Sequence, residues 1–224
     1  MKLLALDTST EYLSLALWQD GAVTVREMLA QQKHSSLILP LLREMLDEAG
    51  LKLQDLDGIA FGAGPGSFTG LRIACGVAQG LAFGANLPVV GVCTLEALAV
   101  QSGADKVIAC LDARMGEVYH AVYEKKDTTW VEVLAPSLCH PTAAPKLEGK
   151  DWCGLGSGWD AYAEILQATY PNVKFIPNVF PLARHIAALA ASMFVRGEGK
   201  PAHEAHPLYI RNKVAFTTEE RAAK

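Results

Sequence analysis

The sequence predicts an α/β protein of two lobes, each built on the same β-meander. An internal repeat is the first indication: the apolar runs 3–7 and 12–18 are matched, at one constant offset, by the runs 108–112 and 117–123. Short apolar runs also alternate with longer segments of helical spacing, as in α/β proteins. Finally, the Gly/Pro-rich stretch 62–72 lies between a short apolar run and a long apolar segment. Such a turn between strand and helix is a common phosphate-binding element.

Composition narrows the classes of protein to consider. The chain has 224 residues, 50% hydrophobic and 20% charged, with a net charge of −4. It is therefore predicted to be globular, and it lacks the basic stripe needed to grip nucleic acid by itself. The five cysteines are widely spaced without a CxxC pair, which argues against a disulfide framework or a zinc site. We expect a cytoplasmic protein, because no apolar run suits a signal peptide or a bilayer span.

The first lobe is predicted to begin with three antiparallel strands, at 3–6, 12–18 and 22–27, joined by a strong hairpin signal at Asp20-Gly21. A helix is predicted over 36–49, where apolar residues recur at spacing four on an unusually wide face. We expect Ser35-Ser36 to cap this helix at its start and Gly50 to end it.

The helix after the glycine-rich loop, predicted from Ser67 to Phe83, has an unusual composition. Glycine in a helix costs up to about 1 kcal/mol relative to alanine, so a row of glycines needs a reason. Tight packing against the sheet is one interpretation, and a flat face for another helix is the other; both can hold on different sides. The alanine row consists of Ala74, Ala78 and Ala82, and the glycine row consists of Gly76, Gly80 and Gly84. The apolar ridge between the two rows consists of Ile73, Val77 and Leu81.

The second lobe is predicted to repeat the meander and then to differ from the first lobe in its loops and helices. Residues 136–150 are interpreted as a loop with one short helix, and residues 154–158 as a second glycine-rich turn. Two further helices are predicted at 159–169 and 182–195. The last residues, 217–224, are predicted to be a polar chain end. We expect lobes 1–103 and 104–224, with the C-terminal tail packing back on the first.

Two aspartates, Asp7 and Asp112, stand where a first strand turns into a second. Each could face a metal–nucleotide in a cleft between lobes, but capping of its own turn is the favoured interpretation. Residues that could contact a nucleotide or phosphate are Asp7, Ser9, Thr10, Gly64 and Gly66. No Walker A, GxGxxG or GxSxG pattern is present, and the six histidines form no metal motif. We therefore predict no catalytic residue, no metal site and no cofactor.

Four motifs of the sequence are distinctive together: GPGSFTGLR at 64–72, LDTST at 6–10, HSSL at 34–37 and DARMGEVY at 112–119. On these motifs the sequence closely resembles the bacterial TsaB (YeaZ) family over essentially its whole length. This resemblance implies a duplicated actin/Hsp70/sugar-kinase-like (ASKHA) fold and a role in forming threonylcarbamoyladenosine next to the tRNA anticodon. The catalytic subunit there is the paralogue TsaD, whose two metal-binding histidines fall here on Thr94 and Leu98. The chain thus resembles an inactive paralogue of TsaD.

The resemblance implies that the chain binds and activates TsaD as a heterodimer, through the helices predicted at 36–49 and 67–83. It also implies a ternary complex with the ATPase TsaE, self-association when TsaD is missing, tRNA contact only through the complex, and no membrane. Two enzyme alternatives remain: a glycoprotease-like peptidase and an ATP-dependent small-molecule kinase. The expected interface residues are Leu37, Ile38, Leu41, Leu42, Met45, Phe68, Leu71, Ile73, Val77 and Leu81.

Overall fold

The computed structural model describes residues 1–211, which form two five-stranded sheets and five α-helices. The strands are β1 Lys2–Asp7, β2 Tyr12–Gln19, β3 Ala22–Leu29, β4 Gly58–Gly64, β5 Val89–Cys93, β6 Lys106–Arg114, β7 Glu117–Lys126, β8 Thr129–Cys139, β9 Cys153–Leu155 and β10 Lys174–Ile176. The helices are α1 His34–Glu48, α2 Phe68–Ala85, α3 Thr94–Gln101, α4 Ser157–Thr169 and α5 Ala183–Val195. None of these helices is long and apolar enough to cross a bilayer.

The predicted duplication is confirmed by the topology of the two sheets. The first has the strand order β3-β2-β1-β4-β5, and the second has the equivalent order β8-β7-β6-β9-β10. In each, a three-stranded antiparallel meander is extended by two parallel strands. Ala16 of β2 pairs with Ala5, and its counterpart Ala121 of β7 pairs with Ala109, one residue from the position that the constant offset gives, because the register of β6 shifts between Asp112 and Arg114. The same backbone unit therefore occurs twice.

The two sheets and five helices stack in layers. Helices α1 and α2 cover the outer face of the first sheet, and α4 covers the outer face of the second. Helix α5 packs on the inner face of the first sheet, while α3 packs on the inner face of the second. Each of these last two helices thus packs chiefly on the sheet of the other half of the chain. The predicted division after residue 103 stays a prediction.

Of the turns and helix ends predicted from local sequence signals in the first lobe, some are confirmed and one is wrong. Asp20 and Gly21 have positive φ, as the predicted hairpin turn requires, and Gly50 has a left-handed φ of +64° after α1. The predicted cap at Ser35-Ser36 is wrong, because α1 begins earlier, at His34. Ser36 Oγ instead donates to the carbonyl oxygen of Lys33.

The structure contains strands in the second lobe, and one helix before it, that the sequence patterns did not predict. Strand β8 extends to Cys139, so the predicted loop 136–150 begins with strand and contains one short 3₁₀ turn, Pro141–Ala143. Strand β9 occupies part of the glycine-rich turn 154–158. Between the lobes, helix α3 begins directly after β5, where no helix was predicted. Short elements bounded by glycine leave little periodicity to detect.

The C-terminal tail runs along the first lobe before it reaches the second. Lys200 forms an isolated antiparallel bridge with Val89, and Leu208 N–H donates to Ala63 O over 2.7 Å. Between them, Ala205 O accepts from the Gln79 side chain of α2. Arg211 then bonds the carboxylate of Glu117 in the second lobe at 2.7 Å. The polar end predicted at 217–224 lies outside the described residues.

Candidate functional site: the glycine loop and the α1–α2 face

The glycine loop is tied to the turn between β1 and β2. Ser67 caps α2 as predicted, since its Oγ accepts the Gly70 N–H at 3.3 Å. The Ser67 N–H donates to Ser9 O at 2.7 Å, so a backbone group at the helix N-terminus is already satisfied by the protein. The loop and the turn are therefore held as one unit.

Close packing explains why glycine is needed along this loop. A Cβ at Gly66 would lie 2.6 Å from Ser9 O, and a Cβ at Gly62 or Gly70 would overlap the turn that begins at Asp7. A Cβ at Gly64 would lie 2.9 Å from Leu208 O, because the tail crosses the loop there. Other parts of the protein fill the space beside these glycines, and a bound phosphate group is not needed to explain them.

The predicted nucleotide-contact residues are brought together only in part. Asp7, Ser9 and Gly66 lie side by side beneath the loop, and Gly64 lies under the tail. Thr10 is at the surface, where its hydroxyl accepts the backbone N–H of Tyr12 at 3.2 Å. A nucleotide contact at these five positions stays a prediction.

Asp7 is the most perturbed carboxyl group of the site. It is fully buried, and its Oδ1 accepts from the Ser9 backbone N–H at 3.0 Å and the Ser9 hydroxyl at 2.8 Å. It therefore caps its own turn, the favoured interpretation. Within the described residues, Oδ2 has no hydrogen-bond partner. Burial raises the pKa of Asp7 to about 7, against the smaller lowering by the Ser9 hydrogen bonds.

The positions that match the metal-binding histidines of TsaD have other roles here. Thr94 is buried at the start of α3, and its hydroxyl donates to Pro65 O at 2.5 Å. Leu98 is fully buried in the core beneath the second sheet. Within residues 1–211, no three His, Cys, Asp or Glu side chains are grouped so that they could hold a metal ion.

Helix α2 has two chemically different sides. The Ala74–Ala78–Ala82 row is fully buried against the sheet, so the sheet-packing interpretation of the small residues holds for that side. The glycine row is exposed, and a Cβ at Gly76, Gly80 or Gly84 would meet nothing within 4 Å among residues 1–211. Packing within the described part of the chain therefore gives no reason for the glycine row.

The expected interface residues divide into core and surface. Four of them are core residues and not surface residues, which corrects the prediction for these positions. Each is at most 3% exposed, and together they hold α1 and α2 to the first sheet: Ile38, Leu42, Met45 and Leu71. The remaining residues of the expected interface are partly or fully exposed: Leu37, Leu41, Phe68, Ile73, Val77 and Leu81.

Two exposed side chains that the sequence interpretation missed belong to the same two helices. Leu39 of α1 is 50% exposed and Phe83 of α2 is 81% exposed. The available signal was an apolar residue outside the buried row of an amphipathic helix. We call the partly or fully exposed apolar residues of α1 and α2, together with the glycine row, the α1–α2 face.

Comparisons with known proteins connect these features to one family. Residues 25–218 match the family model described as "TsaD: tRNA N6-adenosine threonylcarbamoyltransferase". The chain is 39% identical to the tRNA threonylcarbamoyladenosine biosynthesis protein TsaB of Escherichia coli strain K12, covering 96% of this chain and 97% of the relative. It is 40% identical to the protein of the same name from Haemophilus influenzae, covering 96% of each.

Solved structures give the same result for the fold. The structure described as "YeaZ from Pseudomonas aeruginosa" matches with a TM-score of 0.87 and 40% identity, over 93% of this chain and 99% of that one. A second structure, described as an uncharacterized protein with similarity to peptidase YEAZ from Pseudomonas aeruginosa, matches with a TM-score of 0.88 and 39% identity, over 94% and 99% of the two chains.

Proposed function

Because this chain belongs to the TsaB (YeaZ) family of tRNA threonylcarbamoyladenosine biosynthesis proteins, we propose that it is a non-catalytic subunit that binds and activates TsaD. In this proposal TsaD forms the threonylcarbamoyl group on the adenosine next to the tRNA anticodon. The relatives' names support the pathway, and the α1–α2 face supports the mode of action.

The exposed glycine row of α2 is the observation that carries the proposal. Three helical glycines are a stability cost that packing among residues 1–211 does not explain. Small residues let two helix backbones approach closely, and the flanking Ile73, Val77 and Leu81 are partly exposed beside the row. A partner helix laid along it would bury these side chains and those of Leu37 and Leu41 on α1. The same face would pair two copies when TsaD is missing.

A scaffold role also agrees with the chemistry of the chain. Thr94 and Leu98 cannot replace two imidazole ligands, since one is an engaged hydroxyl and the other a buried hydrocarbon. The Oγ of Ser67, the nucleophile of a peptidase alternative, is occupied as a helix cap. In our proposal TsaE joins the pair in a ternary complex, tRNA is contacted only through the complex, and the complex works in the cytoplasm.

The face is tested by substitutions on the exposed side of α2. Gly80→Leu adds a side chain where no neighbour lies within 4 Å in the part of the chain that the structure describes, and leucine is a better helix former than glycine, so the subunit is expected to stay folded. The added side chain would hold a partner helix away and lower co-purification with TsaD at least tenfold. Leu41→Glu and Val77→Glu are expected to act similarly by placing a charge in the face.

Gln167→Leu on the exposed surface of α4 is the matched control, because it adds a leucine far from the face. It is expected to leave TsaD binding unchanged. If Gly80→Leu binds TsaD as the natural chain does, the α1–α2 face is the wrong surface.

Activation is tested by reconstituting tRNA modification from purified proteins with and without this chain. Full activity without it would overturn the proposal. Cleavage of a protein substrate that is lost on Ser67→Ala would instead favour the peptidase, and tight binding of ATP–magnesium by the isolated chain would favour the kinase.

A further inference from the structure

A groove of about 800 Å³ lies along the free edge of the first sheet. Strand β5 forms one wall, and the tail segment around 204–209 forms the other. Apolar side chains of Met193, Pro207 and Leu208, which are partly or fully exposed, line the interior. This volume falls within the range of natural ligand sites, and the groove is separate from the exposed glycine row of α2.

One end of this edge already carries a strand-like partner. Val89 N–H donates to Lys200 O at 2.8 Å, and Lys200 N–H donates to Val89 O at 2.9 Å. These two bonds are one step of an antiparallel ladder. The ladder stops there because the N–H of Glu198, two residues earlier in the tail, is bonded to Met193 O at the end of α5.

The next outward-facing residue of the edge is Gly91. Backbone groups alternate in direction along a strand, so the N–H and C=O of Gly91 point away from β4, as those of Val89 do. Gly91 is exposed, and within residues 1–211 no tail residue bonds it as Lys200 bonds Val89. A donor and an acceptor thus face the groove, spaced as a peptide strand needs them.

The charged groups of the groove favour a basic occupant. Glu96, Glu198 and Glu204 contribute three carboxylates, against two cations, the ammonium group of Lys200 and the guanidinium of Arg196. Glu96 is partly buried, and Glu198 has an ion pair with Arg196. A cation entering the groove would therefore meet an excess of negative charge.

We propose that this groove binds an extended segment of another protein, which adds to the edge of β5 at Gly91 and places lysine or arginine side chains near Glu96 and Glu198. Main-chain bonds to Gly91 would set the register, and the apolar lining would take the intervening small or apolar side chains. The proposal rests on the β5 edge alone and does not depend on the binding of TsaD.

A labelled Lys-Val-Lys-Val-Lys peptide with blocked ends tests the proposal on the full chain by fluorescence anisotropy and amide hydrogen exchange. We expect binding that weakens with salt, and exchange at the Gly91 amide slowed at least tenfold. Glu96→Gln combined with Glu198→Gln should weaken binding about tenfold. Glu164→Gln, on the exposed surface of α4, is the matched control and should change nothing.

Two further peptides separate strand addition from simple charge attraction. A Glu-Val-Glu-Val-Glu peptide should not bind, and the lysine peptide N-methylated at alternate amides should bind at least tenfold more weakly. Equal binding of either peptide would overturn the proposal. It is also overturned if the Gly91 amide of the free full chain exchanges as slowly as that of Val90, because residues 212–224 or a second copy would then already cover the edge.

Discussion

The two lobes share one topology but use equivalent positions differently. Asp7 is fully buried, and one of its oxygens has no hydrogen-bond partner among residues 1–211, whereas Asp112 is partly exposed and pairs with Arg114 at 3.1 Å. At the same offset, fully buried Leu15 of the first lobe corresponds to His120 of the second. The two lobes therefore share a backbone topology, but their buried titratable groups, Asp7 and His120, lie at positions that do not correspond.

The lobes also differ in what covers their outer faces. Helix α1 lies between β3 and β4 in the first lobe, whereas the corresponding connection in the second lobe, between β8 and β9, has only a short 3₁₀ turn. The first lobe consequently has two adjacent helices, and their outer sides form the α1–α2 face. We infer that the first lobe is specialised for binding and that the second mainly completes the fold.

The largest expected effect concerns Asp7. Its folded-state pKa of about 7 is above the ordinary value of 3.8, so the folded state holds the proton more tightly than the unfolded state. The contribution of Asp7 to the free energy of unfolding should therefore be full below about pH 4 and fall as pH rises to 7, by at most about 4 kcal/mol. Asp7→Asn should remove this slope and raise stability at pH 8, measured by urea unfolding.

Asp112→Asn is the control from the other lobe, since it removes a partly exposed ion pair and should cost less than about 1 kcal/mol. It must keep the slope that Asp7 produces. An unchanged slope in Asp7→Asn would contradict the burial of a protonated carboxyl group.

The second lobe should respond to pH in the opposite direction through His120. Burial lowers its pKa to about 4 from 6.5, so the folded state keeps the imidazole neutral. Its contribution to stability should be full above pH 6.5 and fall by up to about 3 kcal/mol as pH drops to 4. His120→Gln should flatten this acid-side loss, measured by urea unfolding from pH 4 to 7. If the loss persists unchanged in His120→Gln, another group is responsible.

The smallest expected effect compares a helical glycine from each lobe. A Cβ at Gly76 of α2 would meet no atom of residues 1–211 within 4 Å, so Gly76→Ala should stabilise the chain by about 0.5–1 kcal/mol. A Cβ at Gly158 of α4 would lie 2.8 Å from the Cys110 Cβ, so Gly158→Ala should destabilise it by about 1–3 kcal/mol. Thermal unfolding measures both, and a stabilised Gly158→Ala would show that α4 is more loosely packed than described.

Much of the fold followed from local patterns. Strands β1 and β2 and helices α2 and α5 were predicted because each shows its own period or cap, such as Ser67 at the start of α2. Helix α3 and strand β9 were missed. Both are short and largely buried, and an apolar segment that is buried on all sides shows no periodicity to separate strand from helix.

The site was less predictable than the fold. The wide apolar face of α1 was visible in the sequence, yet Ile38, Leu42 and Met45 proved to be core residues while Leu39 is exposed. A helix with apolar residues over most of its surface does not indicate which stripe the sheet will cover. The charged groove at Gly91 could not be predicted, because it depends on where the tail leaves the β5 edge.

The sequence by itself determined the duplicated unit, the cap of α2 and the family, because these depend on residues that are near in the chain or on motifs read directly. Only the tertiary structure decided that the glycines of the loop are needed to accommodate Ser9 and Leu208, and that the glycine row of α2 faces outward. The reason is physical: a glycine shows only that no side chain is present, and its neighbours in space decide whether that gap is filled or open.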